Sequence, residues 1–160
     1  MKRLFEQRCY MANVYGSWLL IAAVFVFILW QSGPLTAIFV GAVGAAGLWL
    51  YVRTFPNISG LLGYGSVADV KGPARAAVAR KVTLYTAVGC PFCPIVRHRL
   101  HALKEQLGFE LEEIDVTLKP GLLLAKGIRA VPVVEVGGHT HLGNATTAEL
   151  ESLIAMEKAA

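Results

Sequence analysis

Two cysteines three positions apart lie in Val-Gly-Cys-Pro-Phe-Cys-Pro, residues 88–94. Cys90 and Cys93 suit two kinds of chemistry: thiol–disulfide exchange, or half of the ligand set of a structural zinc site. A zinc site needs two further ligands, and the chain offers four histidines: His98, His101, His139 and His141. We interpret these as exposed side chains on the outer part of a helix and beside a hairpin, and predict no metal site.

The residues around the cysteines have the pattern of a strand followed by a helix. Lys81–Thr86 is β-branched and aromatic, which indicates a buried strand. Pro91–Leu107 has apolar residues at helical spacing, and Pro91 suits a first helical position. Cys90 therefore lies at a helix N-terminus, where the helix dipole favours a thiolate. We expect Cys90 to be the exposed nucleophile that attacks a disulfide and Cys93, one turn deeper, to resolve the mixed disulfide.

The rest of the C-terminal half continues the alternation of strands and helices. The predicted elements are a strand at Phe109–Val116, a short helix at Leu118–Lys126 interrupted by Pro120-Gly121, a hairpin of residues 132–136 and 140–142, and a last helix from Thr146 or Thr147 to about Lys158. The strand–helix–strand start implies parallel strands, and the hairpin adds an antiparallel edge. The fold class is therefore predicted to be α/β, with a small mixed four-stranded sheet in residues 81–160.

A long uncharged stretch precedes this domain. No Asp, Glu, Lys or Arg occurs in the 44 residues from Cys9 to Val52, which is room for two membrane spans of about 20 residues. The segment Gln31-Ser32-Gly33-Pro34 separates them. Residues 1–52 are predicted to form a transmembrane helical hairpin with spans of about 14–30 and 35–52. A cleaved signal peptide is the alternative, but its apolar region would be shorter.

The basic residues flank the uncharged stretch. Through Lys81 the chain has eight basic and two acidic residues, and from Val82 onward it has seven basic and nine acidic ones. No basic patch interleaved with aromatic residues occurs, so we predict no nucleic-acid partner. Because the connecting turn has no Lys or Arg, both ends are predicted to face the cytoplasm from the cytoplasmic (inner) membrane.

Three further features of the N-terminal half carry predictions. Residues 53–80 are rich in Gly, Ala, Ser and Pro without a sustained period, and are interpreted as a linker, lying along the membrane through Ile58, Leu61, Leu62 and Tyr64. Small residues form a stripe in the second span, at Ala37, Gly41, Gly44, Ala45 and Gly47. The stripe is expected to pack the two spans together, with a homodimer as the alternative. Cys9, at the membrane edge, is expected to be a buried or interfacial thiol, with acylation as the alternative.

Three stretches of the C-terminal half resemble the glutaredoxins and related small members of the thioredoxin fold: VTLYTAVGCPFCPIVRHRLHAL, ELEEIDVT and GIRAVPVVEVGG. The resemblance covers about Lys81–Met156. It implies a thioredoxin-like fold in which Cys90 and Cys93 are the redox pair and Val131–Pro132 is the cis-proline step beside them. The family uses the backbone of the residue before this proline to pair with an extended substrate or glutathione. The proline after the second cysteine resembles the Cys-Pro-x-Cys-Pro units of oxidoreductases with tandem thioredoxin folds.

The resemblance also implies a set of substrate-binding residues: Pro91, Phe92, Val131, Gly143 and Asn144. One departure concerns glutathione. Members that use it usually carry Gly-Gly-x-Asp-Asp before the last helix, whereas this chain has Leu-Gly-Asn-Ala-Thr-Thr at residues 142–147, without the acidic pair. A donor of the thioredoxin-reductase type, or a membrane partner, is therefore an alternative to glutathione, and no resident cofactor is required.

Together these patterns predict a membrane-anchored thiol–disulfide oxidoreductase that reduces protein or glutathione-mixed disulfides at the cytoplasmic membrane surface. Its expected partners are disulfide-containing proteins, an electron donor and the lipid bilayer. One alternative function is a module that holds an iron–sulfur cluster or soft metal between two chains through the same cysteines. Another is an oxidase or isomerase that faces outward.

Overall fold

A computed structural model describes residues 7–58 and 81–156. The N-terminal part contains a two-residue strand and two helices: β1 (Cys9–Tyr10), α1 (Met11–Ser32) and α2 (Pro34–Ile58). The C-terminal part contains β2 (Lys81–Thr86), α3 (Phe92–Leu107), β3 (Glu110–Asp115), α4 (Pro120–Lys126), β4 (Ala130–Val131), β5 (Val133–Val136), β6 (His139–Leu142) and α5 (Thr147–Met156).

The C-terminal part is built on a mixed sheet of four strands in the order β3-β2-β5-β6. Strands β2 and β3 are parallel because α3 carries the chain back between them, and β5 and β6 form an antiparallel hairpin. The pairing of β2 with β5 is antiparallel. The predicted α/β class and mixed four-stranded sheet are confirmed.

The predicted apolar faces of α3 and α5 form one core with the sheet. The helices contribute Val96, Leu100, Leu103, Leu107, Leu150, Leu153 and Ile154, all buried. Val82 and Leu84 from β2 and Val134 and Val136 from β5 cover the other side of the same cluster. This core fixes the start of α3, and with it the cysteines, against the end of β2.

The short helix after β3 starts at a different residue from the one predicted. It is not interrupted at Pro120 but begins there, because proline at a first helical position loses no intrahelical hydrogen bond. The last helix extends through Met156, and the predicted continuation to Lys158 lies outside the described residues.

The N-terminal helices form a hairpin, and each is long and apolar enough to cross a membrane, over Met11–Ser32 and Pro34–Phe55. The helix α2 continues to Ile58, so residues 53–58 of the predicted linker are helical. The rest of that linker, with Leu61, Leu62 and Tyr64, lies outside the described residues. Large apolar side chains project from both helices into the surroundings, for example Trp30 and Leu35.

The small-residue stripe of α2 has two environments. Ala37 is buried, and a Cβ added at Gly41 would lie 3.4 Å from the ring of Phe25 in α1. Nothing lies within 4 Å of the equivalent position at Gly44 or Gly47. The first part of the stripe thus packs the two helices together, as expected, and the second part is open.

Candidate active site

A tight loop between β2 and α3 positions the two cysteines. Gly89 has a φ of 88°, a left-handed conformation that favours glycine. The backbone N–H of Cys90 donates to Ala87 O at 3.2 Å, and that of Val88 donates to Thr117 Oγ1 at 2.8 Å. Cys90 is therefore held just before the helix, and Cys93 lies within its first turn.

The expected cis-proline is present and lies beside the dithiol. The Val131–Pro132 peptide bond is cis, and the Cys90 thiol lies 3.9 Å from the carbonyl oxygen of Val131. Strand β4 ends at this bond, and β5 begins immediately after it. The resemblance thus placed Cys90, Val131 and Pro132 correctly relative to one another.

Cys90 is not exposed, in contrast to the prediction. Its exposed fraction is 2%, and that of Cys93 is 3%. The N-terminal half covers the cysteines: the ring of Phe55 packs edge-to-face on Phe92 at 6.3 Å, and Trp49 lines the same cavity as both cysteines. Sequence patterns within the domain do not reveal this cover, because it comes from residues far along the chain.

The closest part of this cover is the segment before α1. Strand β1 pairs antiparallel with β4, with Cys9 opposite Val131 and Tyr10 opposite Ala130. Sequence reasoning missed both two-residue strands, since such short segments have no recognisable period. The N-terminal segment thus occupies the strand position that the resemblance assigns to an extended substrate.

Hydrogen bonds on both sides of this pairing extend the contact. The N–H of Met11 donates to Arg129 O at 2.9 Å, and the N–H of Asn144 donates to Gln7 O at 2.8 Å. The side-chain amide of Asn144 also donates to the side-chain oxygen of Gln7. Residues 7–11 are therefore anchored along their whole length, and we call them the docked segment.

The side chain of Cys9 lies in the active site. Its thiol is hydrogen-bonded to that of Cys90, and the backbone N–H of Phe92 donates to its sulfur. The expectation of a buried or interfacial thiol was thus incomplete: Cys9 is half-buried, and its thiol lies beside Cys90. The sequence signal available for this was only a third cysteine at the start of the uncharged stretch.

The expected thiolate at Cys90 is not favoured in this arrangement. The hydrogen bond from Cys9 lowers the pKa of Cys90, but the hydrogen bond and charge interaction with Cys93, together with burial, raise this pKa to about 12. The pKa of Cys9 is also raised, by its hydrogen bond with Cys90 and by burial. With the segment docked, burial and neighbouring sulfurs outweigh the helix dipole.

The predicted substrate-binding residues after β6 contact the docked segment. Gly143 has a φ of 100°, and its N–H donates to Pro132 O at 2.8 Å. A Cβ at this position would lie 3.2 Å from Gln7 O, so only glycine permits this close approach without strain. Gly143, Asn144, Phe92 and Val131 thus all meet the docked segment, and Pro91 is the residue before α3.

The histidines are separate from the cysteines. His101 Nε2 lies at hydrogen-bond distance, 2.9 Å, from Glu113 Oε1 on the surface, and His98 is exposed. Over residues 7–58 and 81–156, the structure shows no group of three or more His, Cys, Asp or Glu residues that could hold a metal ion.

Residues 81–157 match the family model described as Glutaredoxin-like domain (DUF836). No curated protein matches the chain. Among solved structures, the chain is similar to the NTD N/C domain of alkylhydroperoxide reductase AhpF from Enterococcus faecalis, with 24% identity and a TM-score of 0.46. A mutant of the AhpF subunit from the same organism gives 24% identity and a TM-score of 0.49.

Both of those matches cover 64% of this chain and 53% of the matched chain, so this chain spans about half their length. The family model covers the whole mixed sheet, both cysteines of the Cys-x-x-Cys pair and the cis-proline. Residues 81–157 are therefore similar in sequence to the glutaredoxin-like family, and the described residues 81–156 have a thioredoxin-like fold.

Proposed function

We propose that the protein is a membrane-anchored thiol–disulfide oxidoreductase that reduces protein or glutathione-mixed disulfides through Cys90 and Cys93. The observation that carries this is the position of the Cys90 sulfur, 3.9 Å from the carbonyl of the residue before the cis-proline. A substrate strand paired with Val131 brings its own sulfur to this point. One reaction thus uses the cysteine pair, the start of α3 and the edge of β4 that can pair with a substrate strand.

The reaction balances with two thiols and one substrate disulfide. The Cys90 thiolate attacks one sulfur of the substrate, forms a mixed disulfide and releases the other sulfur as a thiolate, which takes up a proton. Cys93 then attacks the sulfur of Cys90 and releases the second substrate thiol. The substrate gains two electrons, and the enzyme is left with a Cys90–Cys93 disulfide that an external thiol donor must reduce.

Two donors fit the chain: glutathione, or a dithiol protein of the thioredoxin-reductase type. The acidic pair by which glutathione-using relatives hold the amino group is replaced here by Ala145-Thr146. The side chain of Asn144 is already engaged, since its oxygen accepts from Arg99 at 2.8 Å and its amide donates to Gln7. This favours, as the electron donor, a protein that pairs as a strand over free glutathione.

The helical hairpin supports a membrane location. Outside α1 and α2 nothing in the described structure covers residues such as Leu19, Trp30 and Leu35, and their exposure to water would be costly. The flanking basic residues and the uncharged turn at residues 31–34 favour a cytoplasmic position of the domain.

The domain lies close to the proposed bilayer. On α1, Tyr15 donates to Thr117 O at 3.0 Å, and Trp18 lines a cavity with Leu118. Residues 19–32 then extend about 21 Å, which is shorter than the bilayer core of about 30 Å. We infer that the domain sits at headgroup depth, with the cysteine-bearing edge turned toward the membrane.

The test is the reduction potential of the full chain in detergent micelles, equilibrated in glutathione buffers. We expect a reversible two-electron couple between about −180 and −280 mV, the range of cytoplasmic reductases. In a chain whose Cys9 is replaced by Ser, replacement of Cys93 by Ser should stop turnover at a substrate mixed disulfide on Cys90, and replacement of Cys90 by Ser should abolish exchange. A potential near −120 mV would instead identify an oxidant, and a pair that never forms a disulfide would refute the proposal.

A further inference from the structure

The docked segment resembles a bound substrate in three independent respects. It adds a strand to β4 by backbone pairing, the mode by which extended peptides bind sheet edges. Its cysteine is the residue opposite Val131 and is hydrogen-bonded to Cys90, the sulfur that forms mixed disulfides in the proposed reaction. Its Gln7 accepts hydrogen bonds from both the backbone N–H and the side-chain amide of Asn144.

The alternation of side chains along β1 explains why Cys9 is directed at Cys90. Neighbouring residues of a strand point to opposite faces. The Arg8 guanidinium lies over the Tyr10 ring at 5.0 Å, and Tyr10 is 44% exposed, so its side chain points away from the cysteines. A shift of the pairing by one residue would remove the Cys9 thiol from the site.

We propose that Cys9 is a third redox cysteine, and that residues 7–11 are an internal substrate whose thiol exchanges with the Cys90–Cys93 disulfide. This inference rests on the proposed function, which supplies that disulfide. When the segment is docked, the thiol in contact with Cys90 is that of Cys9 and not that of an external molecule.

The exchange needs no further oxidant. The Cys9 thiolate attacks the Cys90 sulfur of the Cys90–Cys93 disulfide, a Cys9–Cys90 bond forms, and the Cys93 sulfur leaves and takes up the proton that Cys9 lost. The Phe92 N–H, which donates to the Cys9 sulfur, stabilises negative charge there before the attack. The product contains one disulfide and one thiol, as the reactants did, so no net oxidation or reduction occurs, but the docked segment is now held at Cys90 by a covalent bond.

The bond can be detected because Cys9 and Cys90 lie on opposite sides of residues 59–80. A specific protease site inserted between Lys71 and Arg75 of the full chain in detergent lets cleavage separate the two halves. Only a Cys9–Cys90 or Cys9–Cys93 disulfide keeps them together on a non-reducing gel. After oxidation with oxidised glutathione and acid quenching, the linked fraction is measured, and peptide mass spectrometry identifies the cysteines.

We expect linked halves through Cys9 and Cys90 in the native chain, nearly complete linkage in Cys93→Ser, and none in Cys9→Ser. The matched control moves the thiol to the other face of the strand, with Cys9→Ser and Tyr10→Cys together in the Cys93→Ser chain. This variant should link about tenfold more slowly or less, because its thiol faces away from Cys90. Equal rates would show random collision of a tethered thiol and would overturn the inference.

Two other outcomes separate this inference from the proposed function. If halves never link although Cys90 and Cys93 form a disulfide in the same chain, Cys9 is not a redox residue and the proposed function stands. If Cys90 and Cys93 form no disulfide even in Cys9→Ser, the proposed function itself fails. Linkage between tagged and untagged copies, mixed before oxidation, would overturn the internal-substrate assignment.

Discussion

At the scale of single residues, the environment of Cys90 sets the rate of its chemistry. The sulfurs of Cys9 and Cys93 and a cluster of apolar side chains lie around Cys90. Its pKa is raised to about 12 by the contacts described above. A thiol with so high a pKa is almost entirely protonated at neutral pH, and only the thiolate is a nucleophile. Departure of the docked segment is therefore expected to activate Cys90 as well as to expose it.

This environment predicts the pH dependence of Cys90 alkylation in the full chain. Because the raised pKa lies above the tested range, the thiolate fraction and the rate with iodoacetamide should rise about tenfold per unit from pH 7 to pH 9. The rate is measured by mass spectrometry of the peptide 82–97. A free cysteine peptide, whose thiol has a pKa of about 8.5, is the control, and its rate should rise only about threefold between pH 8 and pH 9. A plateau for Cys90 below pH 9 would contradict the raised pKa.

A second residue, Arg99, holds the loop that carries Gly143 and Asn144. It is 2% exposed, and its guanidinium donates to Asn144 Oδ1 at 2.8 Å and to the carbonyl of Ala145. The amphipathic pattern of α3 did not single out Arg99, because a buried arginine interrupts the apolar period. Its role in holding the loop depends on the contact between α3 and residues 144–145, which the local sequence pattern does not show.

Replacement of Arg99 by Met should destabilise the domain, since two buried acceptors would lose their donor at about 1–3 kcal/mol each. We expect the midpoint of thermal unfolding of the full chain, measured by calorimetry in detergent, to fall by more than about 10 °C. The control is Arg99→Lys, which keeps the charge but not the forked donors and should show an intermediate loss. An unchanged midpoint for Arg99→Met would exclude this role.

At the scale of elements, α5 begins with a reciprocal cap. The N–H of Thr146 donates to Glu149 Oε2 at 2.7 Å, and the N–H of Glu149 donates back to Thr146 Oγ1 at 3.4 Å. The sequence allowed Thr146 or Thr147 as the cap, and the structure selects Thr146. In the described part of the chain, the buried hydroxyl of Thr147 has no hydrogen-bond partner.

These neighbours form a matched pair for a stability test. Thr146→Ala should cost about 1 kcal/mol through loss of the cap, which lowers the calorimetric midpoint by about 4–8 °C for a domain of this size. Thr147→Ala removes a hydroxyl that makes no bond and should change the midpoint much less. Equal losses in both variants would show that the capping contact does not stabilise α5.

The sequence predicted long elements well and two-residue ones not at all. The helices α3 and α5 and the strands β2 and β3 have apolar patterns that repeat with their own period, so local reasoning found them. The strands β1 and β4 consist of two residues each, and their pairing joins Cys9 to Val131 across most of the chain. The site residues inside the domain were accessible through family resemblance, whereas the covering of that site by the N-terminal half was not.

At the scale of the whole molecule, the proposed topology places the turn between the helices and the domain on opposite sides of the membrane. It can be tested in intact cells with single cysteines in a chain whose three native cysteines are replaced by serine. An impermeant maleimide should label Ser32→Cys, in the turn, from outside. It should label His139→Cys, at the exposed β5–β6 hairpin, only after the membrane is opened. The reverse pattern would show that the domain faces outward.

The docked segment runs into α1 without a break: β1 ends at Tyr10, and Met11, the last residue of the segment, is the first residue of the helix. The segment can separate from β4 only if the start of α1 moves with it. The helix then acts as a rigid arm about 33 Å long. If α1 pivots at its far end, a tilt of about 9° displaces Cys9 by about 5 Å. Tilts of membrane helices vary by more than this with bilayer thickness. If the hairpin spans a bilayer as proposed, the thickness of the surrounding lipid would thereby set how often Cys90 and Cys93 are uncovered.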